Sequence, residues 1–276
     1  MTRSWAAADA GRVLRRPTAS DDKYSRGVLG IRTGSDDYPG AAVLGVEAAW
    51  RTGLGMVRYL GAERPTALVL ARRPETVAAD GRVQAWLIGS GTDARSRSSA
   101  ETDALRGLLH GEVPVVVDAG ALDLAVGATA PRILTPHDRE HARLREALGL
   151  GSDSSDRVAA TRETAAATGA VVLLKGATTV VATPDGDVIE VSAGTPWLAT
   201  AGTGDVLGGV IGALVASAAA HGEVDASSLA ALAASGAWLH GQAARLASAA
   251  RDGGPVTALD VAEELPSAVG ACLGAG

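Results

Sequence analysis

The sequence predicts an α/β fold in which helices cover a central, mostly parallel sheet. Short, wholly apolar, β-branched runs such as Val113 to Val117 and Val171 to Leu174 alternate with segments of helical spacing, the pattern of strands buried on both faces. Several runs end in glycine, as in Gly89-Ser90-Gly91 and Lys175-Gly176, at the strand ends where open α/β sheets place ligands. Across 276 residues no stretch reads as a linker between independent domains, and 47% hydrophobic with 20% charged residues is enough for one large core. Residues 1–22 are expected to form an N-terminal arm, and residues 23–276 a single domain.

The elements follow in chain order. The arm is polar and alanine-rich, with a short helix and an irregular stretch expected. Lys23-Tyr24-Ser25-Arg26-Gly27 leads into a first strand, Val28 to Ile31. The turn Asp36-Asp37-Tyr38-Pro39-Gly40 precedes a helix over Ala41 to Thr52, with Val43, Val46, Ala49 and Trp50 at helical spacing. Strands are predicted at Met56 to Leu60, Ala67 to Ala71, Gln84 to Ile88, Val113 to Val117, Ile133 to Leu134 and Val171 to Leu174. Val180 to Ala182 and Val188 to Val191, separated by Thr183-Pro184-Asp185-Gly186-Asp187, read as a β-hairpin. The last third is helical: a run from Val206 to about His221, an alanine-rich segment over Leu229 to Ala250, and Thr257 to Val269, which opens on the capping pattern Thr257-x-x-Asp260.

Composition narrows the function classes. A net charge of −6 argues against a nucleic-acid surface, and Arg12, Arg15 and Arg16 read as a solvated face. An anionic ligand must then be held by local amides and a few placed cations. The apolar runs are too short and too interrupted for a membrane span, so no membrane partner is expected. No signal peptide is read in Met1 to Gly11, and the single Cys272 cannot form an internal disulfide; both suit a cytoplasmic location. The apolar helices suggest self-association, expected here as a homotetramer.

The segment Leu198-Ala199-Thr200-Ala201-Gly202-Thr203-Gly204-Asp205-Val206-Leu207 carries the chemistry. It sets a glycine turn on a helix N-terminus, where free amides and the positive end of the helix dipole favour a phosphate or an oxyanion. Asp205 can cap that helix or act as a general base at the anion site, and the residues alone leave both open. Thr200 and Thr203 read as turn formers. The small residues Gly40-Ala41-Ala42 admit either a ligand or tight helix–sheet packing. Asp118 sits where aspartate more often caps a helix than binds a ligand. Lys175, at a strand end, is a phosphate contact or a solvated loop residue. His137 and His141, four apart, resemble half of a zinc site, but no third ligand follows at a recognisable spacing and no metal-ligating side chains are assigned.

Taken together, Lys-Tyr-Ser-Arg-Gly, Tyr-Pro-Gly-Ala-Ala, Val-Asp-Ala-Gly-Ala-Leu, Leu-Thr-Pro-His-x-x-Glu, Leu-Lys-Gly-Ala-x-Thr and Leu-Ala-Thr-Ala-Gly-Thr-Gly-Asp-Val-Leu resemble the ADP-dependent NAD(P)H-hydrate dehydratases of the ribokinase-like superfamily. The resemblance runs from about Lys23 to the C-terminal helices and implies a three-layer α/β/α fold. It implies that Asp205 is the catalytic base and also contacts substrate, and that Gly204 lies at the nucleotide phosphates. Lys175, Gly176, Ala177, Thr178 and Thr179 match the adenine-nucleotide segment. Ala41, Gly91 and His137 match positions that contact the hydrated nicotinamide nucleotide. Two departures stand out: His137-Asp138-Arg139-Glu140 replaces the usual His-Pro-Gly-Glu, whose glutamate bears on magnesium, and Trp197 precedes the glycine loop where smaller residues are common.

The implied reaction is nicotinamide nucleotide repair. With Mg²⁺, ADP would phosphorylate the C6 hydroxyl of the S-epimer of NAD(P)H hydrate, and phosphate would then leave, giving NAD(P)H, AMP and phosphate. The family is often fused to an N-terminal epimerase domain. The dehydratase motifs here begin too near the N-terminus for one, so a separate NAD(P)H-hydrate epimerase is the expected functional partner. The alternative is a small-molecule kinase of the same fold, of the hydroxyethylthiazole or hydroxymethylpyrimidine type.

Overall fold

A computed structural model describes residues 2–151 and 155–274. Its nine strands are β1 (Thr2–Ser4), β2 (Val28–Arg32), β3 (Met56–Tyr59), β4 (Ala85–Ile88), β5 (Val115–Val117), β6 (Arg132–Leu134), β7 (Val171–Leu174), β8 (Thr179–Ala182) and β9 (Val188–Val191). They form one sheet in the order β1-β9-β8-β7-β6-β5-β4-β2-β3. From β7 to β3 every pairing is parallel; β8 is antiparallel to both β7 and β9, and β1 closes the edge parallel to β9.

The helices are α1 (Ala7–Val13), α2 (Pro39–Thr52), α3 (Glu63–Arg72), α4 (Ser99–Leu109), α5 (Asp138–Ala147), α6 (Arg157–Thr168), α7 (Thr203–Ala219), α8 (Ala226–Ala249) and α9 (Ala258–Gly274). Strand periodicity decides which helices meet which face. Leu87 of β4 and Leu173 of β7 join the core under α1, α2, α7, α8 and α9, while their neighbours Trp86, Ile88, Val172 and Leu174 join the core under α4, α5 and α6. The result is the three-layer α/β/α arrangement. α7 is buried nearly all round, including Val206, Leu207, Val210, Ile211 and Leu214. Its apolar character is therefore absorbed inside this chain and no longer argues for self-association.

One predicted strand is corrected. Ala67 to Ala71 lies within the helix α3, of which only Pro65 and Val69 are buried while Leu68 is exposed. A five-residue apolar run does not distinguish strand from helix, and burial at i and i+4 is the helical solution. Sequence reasoning found the short helix in residues 1–22 but not β1, whose three residues are all exposed and carry no apolar alternation.

A second feature anchors α2. Glu47 is fully buried and accepts from Arg73 (2.5 and 2.6 Å), Arg51 (2.6 Å) and Arg72 (3.3 Å), tying α2 to α3. Burial raises its pKa, but the three guanidiniums outweigh this and hold the carboxyl at about 2.

Candidate active site

Five adjacent parallel strands in the order β7-β6-β5-β4-β2 point their carboxyl ends the same way, so the residues that follow them converge. Lys175 follows β7, Thr135 to His137 follow β6, Asp118 follows β5, and Ser90 and Gly91 follow β4. The glycine loop faces them from the start of α7.

The loop is built by its threonines. Thr203 Oγ1 donates to the carbonyls of Leu198 and Thr200 (both 2.9 Å), and Thr200 Oγ1 donates to Trp197 O (2.8 Å), as expected of turn formers. Gly202 is the N-cap at φ +89°, a left-handed conformation that any side chain would strain. The bond from Val206 N to Gly202 O (3.2 Å) is the first of α7, which leaves the N–H groups of Gly204 and Asp205 at the open helix end. Trp197 is exposed, and its indole N–H donates to Gly253 O (2.9 Å).

Asp205 is thus the third residue of α7, not its cap. The carboxyl is largely buried and its pKa is raised to about 7 by burial and by the negative Asp118, with Lys175 opposing. An aspartate poised near neutrality suits proton abstraction.

Asp118 holds the N-cap position of the 3-10 helix Ala119–Leu124, but its side chain makes no capping bond. It is 3% exposed and accepts from Lys175 Nζ (2.8 Å), Thr135 Oγ1 (2.8 Å) and Ser90 Oγ (2.9 Å). Burial pushes its pKa up, but Lys175 and the two hydroxyls outweigh this, so the group is held below its ordinary value. Lys175 is therefore no solvated loop residue. Its Nζ also lies 3.8 Å from Glu140 Oε2, and a Cβ placed on Gly204 would stand 3.7 Å from it. Burial lowers the lysine pKa, but Asp118 and Glu140 raise it further, so the ammonium stays charged against the helix end.

His137 is the N-cap of α5. Its Nδ1 accepts from the N–H groups of Arg139 (3.1 Å) and Glu140 (3.2 Å), and Glu140 Oε2 accepts from His137 N (2.9 Å). This reciprocal cap preserves a tight turn without the usual Pro-Gly and sets Glu140 beside Lys175. Because Nδ1 accepts, the neutral ring carries its proton on Nε2. His141 turns inward to Thr164 (2.8 Å), so the two histidines serve different partners.

The remaining expected residues fall around this cluster. Gly91, at φ +65°, abuts Ala41 so closely that a Cβ there would overlap the alanine methyl at 2.4 Å. After Lys175 the segment turns away: Gly176 and Ala177 are exposed, Thr178 bonds Ser192 (2.8 Å), and Thr179 begins β8. Arg157 supports it, donating to Lys175 O (3.0 Å) while pairing with Asp138. A cavity of about 680 Å³ opens beside Gly91 and Glu140, and a smaller one of about 400 Å³ beside Thr178 and Arg157.

Two contributors escape sequence reasoning. The Asp118–Lys175 pair is signalled only by both residues ending strands, and needs the sheet order, with β6 alone between β5 and β7, to become a contact. His240 of α8 lies buried beside the Thr203 backbone, and burial pushes its pKa down to about 4, leaving the ring neutral. One histidine in an alanine-rich helix gave no spacing to read.

Among known proteins, the family model for NAD(P)H-hydrate dehydratase matches residues 29–267. The chain is 48% identical over 222 residues to the bifunctional NAD(P)H-hydrate repair enzyme Nnr of Mycobacterium tuberculosis, covering 76% of this chain and 45% of that protein. The chain thus spans about half the length of that relative. It is 37% identical over 254 residues to the ADP-dependent (S)-NAD(P)H-hydrate dehydratase of Neisseria meningitidis, covering 84% of this chain and 81% of the other. The Bacillus subtilis ADP/ATP-dependent NAD(P)H-hydrate dehydratase, crystallised with ATP and Mg²⁺, superposes with a TM-score of 0.82 at 28% identity over 98% of both chains.

Proposed function

The chain belongs to the NAD(P)H-hydrate dehydratase family, and from that premise we propose that it repairs nicotinamide nucleotides, converting the S-epimer of NAD(P)H hydrate to NAD(P)H at the expense of ADP. The observation that carries this reading is Asp205, a carboxylate with a pKa near 7 at an amide-rich helix end, beside a lysine already held by two other carboxylates.

In the proposed reaction Asp205 takes the proton of the C6 hydroxyl, whose oxygen bonds to the β-phosphorus of ADP as the bond to AMP breaks. The C6–O bond then breaks with its electrons leaving on phosphate, pushed by the lone pair of the ring nitrogen. Loss of a proton from the adjacent ring carbon restores the dihydronicotinamide. Lys175 and the N–H groups of Gly204 and Asp205 stabilise charge on the transferring group. Gly176, Ala177, Thr178 and Thr179 line the nucleotide side, and Ala41, Gly91 and His137 the substrate side.

Magnesium fits these residues in one form. No three acidic, histidine or cysteine side chains converge among the described residues, which argues against an all-protein cage. Mg²⁺ commonly takes one or two carboxylates with substrate phosphates and water, and Glu140, which lines the cavity, would supply the carboxylate, whereas Asp118 is already engaged by Lys175, Thr135 and Ser90. When bound there, the ion would neutralise phosphate charge.

We further propose that an NAD(P)H-hydrate epimerase supplies the S-epimer, because a stereospecific dehydratase leaves the other epimer behind. A cytoplasmic location and a homotetramer remain proposals, the latter without support from α7, whose apolar surface is buried within the chain. The single Cys272 suits a reducing compartment, and no described helix is long and apolar enough to cross a membrane.

The kinase alternative is weaker, since the family model and both relatives are named for hydrate repair. Incubating the protein with hydrated NADH, Mg²⁺ and ADP or ATP tests the proposal. Reduced-nicotinamide absorbance should return faster with ADP, and hydroxyethylthiazole should stay unphosphorylated. No return of absorbance with either nucleotide would overturn it.

A further inference from the structure

The 680 Å³ cavity has a wall that the reacting cluster does not use. One face of α5 lines it, with Glu140, Arg143, Leu144 and Ala147 at the i, i+3, i+4, i+7 spacing of a single helix stripe. From Glu140 to Ala147 that stripe runs about 10 Å away from the reacting cluster. Opposite, the loop after β4 contributes Gly91 and Arg95. The cavity therefore starts at the substrate side of the cluster and extends outward.

Its charges are unequally engaged. Asp123 is paired with Arg97 (2.7 Å), Glu140 is held by His137 and Lys175, and Asp93 accepts from Arg95 N (2.9 Å). The guanidiniums of Arg95 and Arg143 have neither an ion pair nor a hydrogen bond among the described residues. Two free guanidiniums on facing walls of one cavity are what an otherwise acidic chain, of net charge −6, needs to hold an anion. The same cavity exposes Tyr38 at 62% and Val126 at 45%, flat and apolar surface suited to a heterocycle.

Resting on the proposed substrate class, we propose that Arg95 and Arg143 hold a phosphate of the dinucleotide hydrate remote from its reacting ring, making this cavity the subsite that recognises the rest of the cofactor. The ring lies at Gly91, His137 and Asp205, and the remainder of the molecule runs along α5. The arginines act in binding and take no part in the chemical step.

The test compares Arg95→Gln, Arg143→Gln and the double variant with wild type, using NADH hydrate and NADPH hydrate with ADP and Mg²⁺. Each single change should raise KM about tenfold and leave kcat within twofold. A loss confined to NADPH hydrate assigns the 2′-phosphate, and an equal loss for both hydrates assigns the bridging pyrophosphate; either supports the subsite. Unchanged KM for both hydrates in a folded double variant would overturn it. Calorimetry with NADP⁺ and NAD⁺ separates this inference from the activity. If wild type turns over neither hydrate, the proposed reaction fails, yet weaker binding of either dinucleotide to the double variant still upholds the subsite, and equal binding removes it.

Discussion

Replacing Asp205 by asparagine should produce a protein that is inactive and yet more stable at alkaline pH. The side chains are isosteric, so the glycine loop and α7 persist while the base is lost. Turnover should fall by about 10²–10⁴, the usual contribution of a placed general base. The stability effect follows from the carboxyl pKa, raised from an ordinary 3.8 to about 7 chiefly by burial and secondarily by Asp118. Below pH 4 aspartate is protonated in both folded and unfolded chains and resembles asparagine. Between pH 4 and 7 the unfolded chain gives up a proton that the folded carboxyl keeps, so the wild type loses stability that the variant keeps, and the loss is complete once the pH has passed 7. A full difference of about three in pKa has a ceiling of about 4 kcal/mol, and incomplete burial reduces this to about 1–2 kcal/mol. For a chain of this size that is about 2–6 °C in Tm. Melting curves at pH 4 and pH 8, with kcat/KM between pH 5.5 and 8.5, provide the assay. The wild-type profile should fall below a midpoint near pH 7. A variant no more stable than wild type at pH 8, or active within tenfold of it, would refute the reasoning.

Other expectations come from the neighbours of Asp205 and from the Glu47 cluster that ties α2 to α3. Gly202→Ala should lower stability by about 1–2 kcal/mol, because alanine is strained at φ +89°, whereas Gly204→Val should fold and lose ADP affinity in calorimetry by crowding Lys175. Asp118→Asn should cost about 3 kcal/mol by leaving Lys175 with Glu140 alone, at 3.8 Å, and should move the acidic limb of the wild-type pH profile to lower pH, since Asp118 helps to raise Asp205. An unmoved limb in a folded variant would remove Asp118 from the account. Glu47→Gln should destabilise by about 3 kcal/mol at pH 7, an effect that fades as wild-type Glu47 protonates toward pH 2, with kcat unchanged; equal melting temperatures at pH 7 would contradict the three-arginine pairing.

The fold was readable because its strands are short, apolar and capped by glycine, and because Val171 to Leu174 and its kin have no helical spacing. Ala67 to Ala71 failed for the reason that an isolated apolar pentad fits either period, and β1 failed because exposed edge residues carry no pattern. At the site, the glycine loop and Lys175 were legible as chemistry-bearing residues. Their roles were not. Asp205 is no cap because Gly202 holds the N-cap position of α7, and Asp118, though at an N-cap, turns its carboxylate to Lys175 because of the sheet order; local sequence encodes neither. The substitution of Asp138-Arg139 for Pro-Gly looked like a departure at the turn, and is accommodated by the reciprocal His137–Glu140 cap.

The central claim is that the C6 oxygen is phosphorylated before it leaves, so its fate is the most direct test. Hydrated NADH prepared in ¹⁸O-water carries the label on the C6 hydroxyl and can be turned over with ADP and Mg²⁺ in ordinary water. The account predicts one ¹⁸O in each inorganic phosphate released, with one AMP formed for each NADH regained. Label recovered in water, with phosphate unlabelled, would mean that the hydroxyl departs without phosphorylation and would contradict the assignment of Asp205 as the base for phosphoryl transfer.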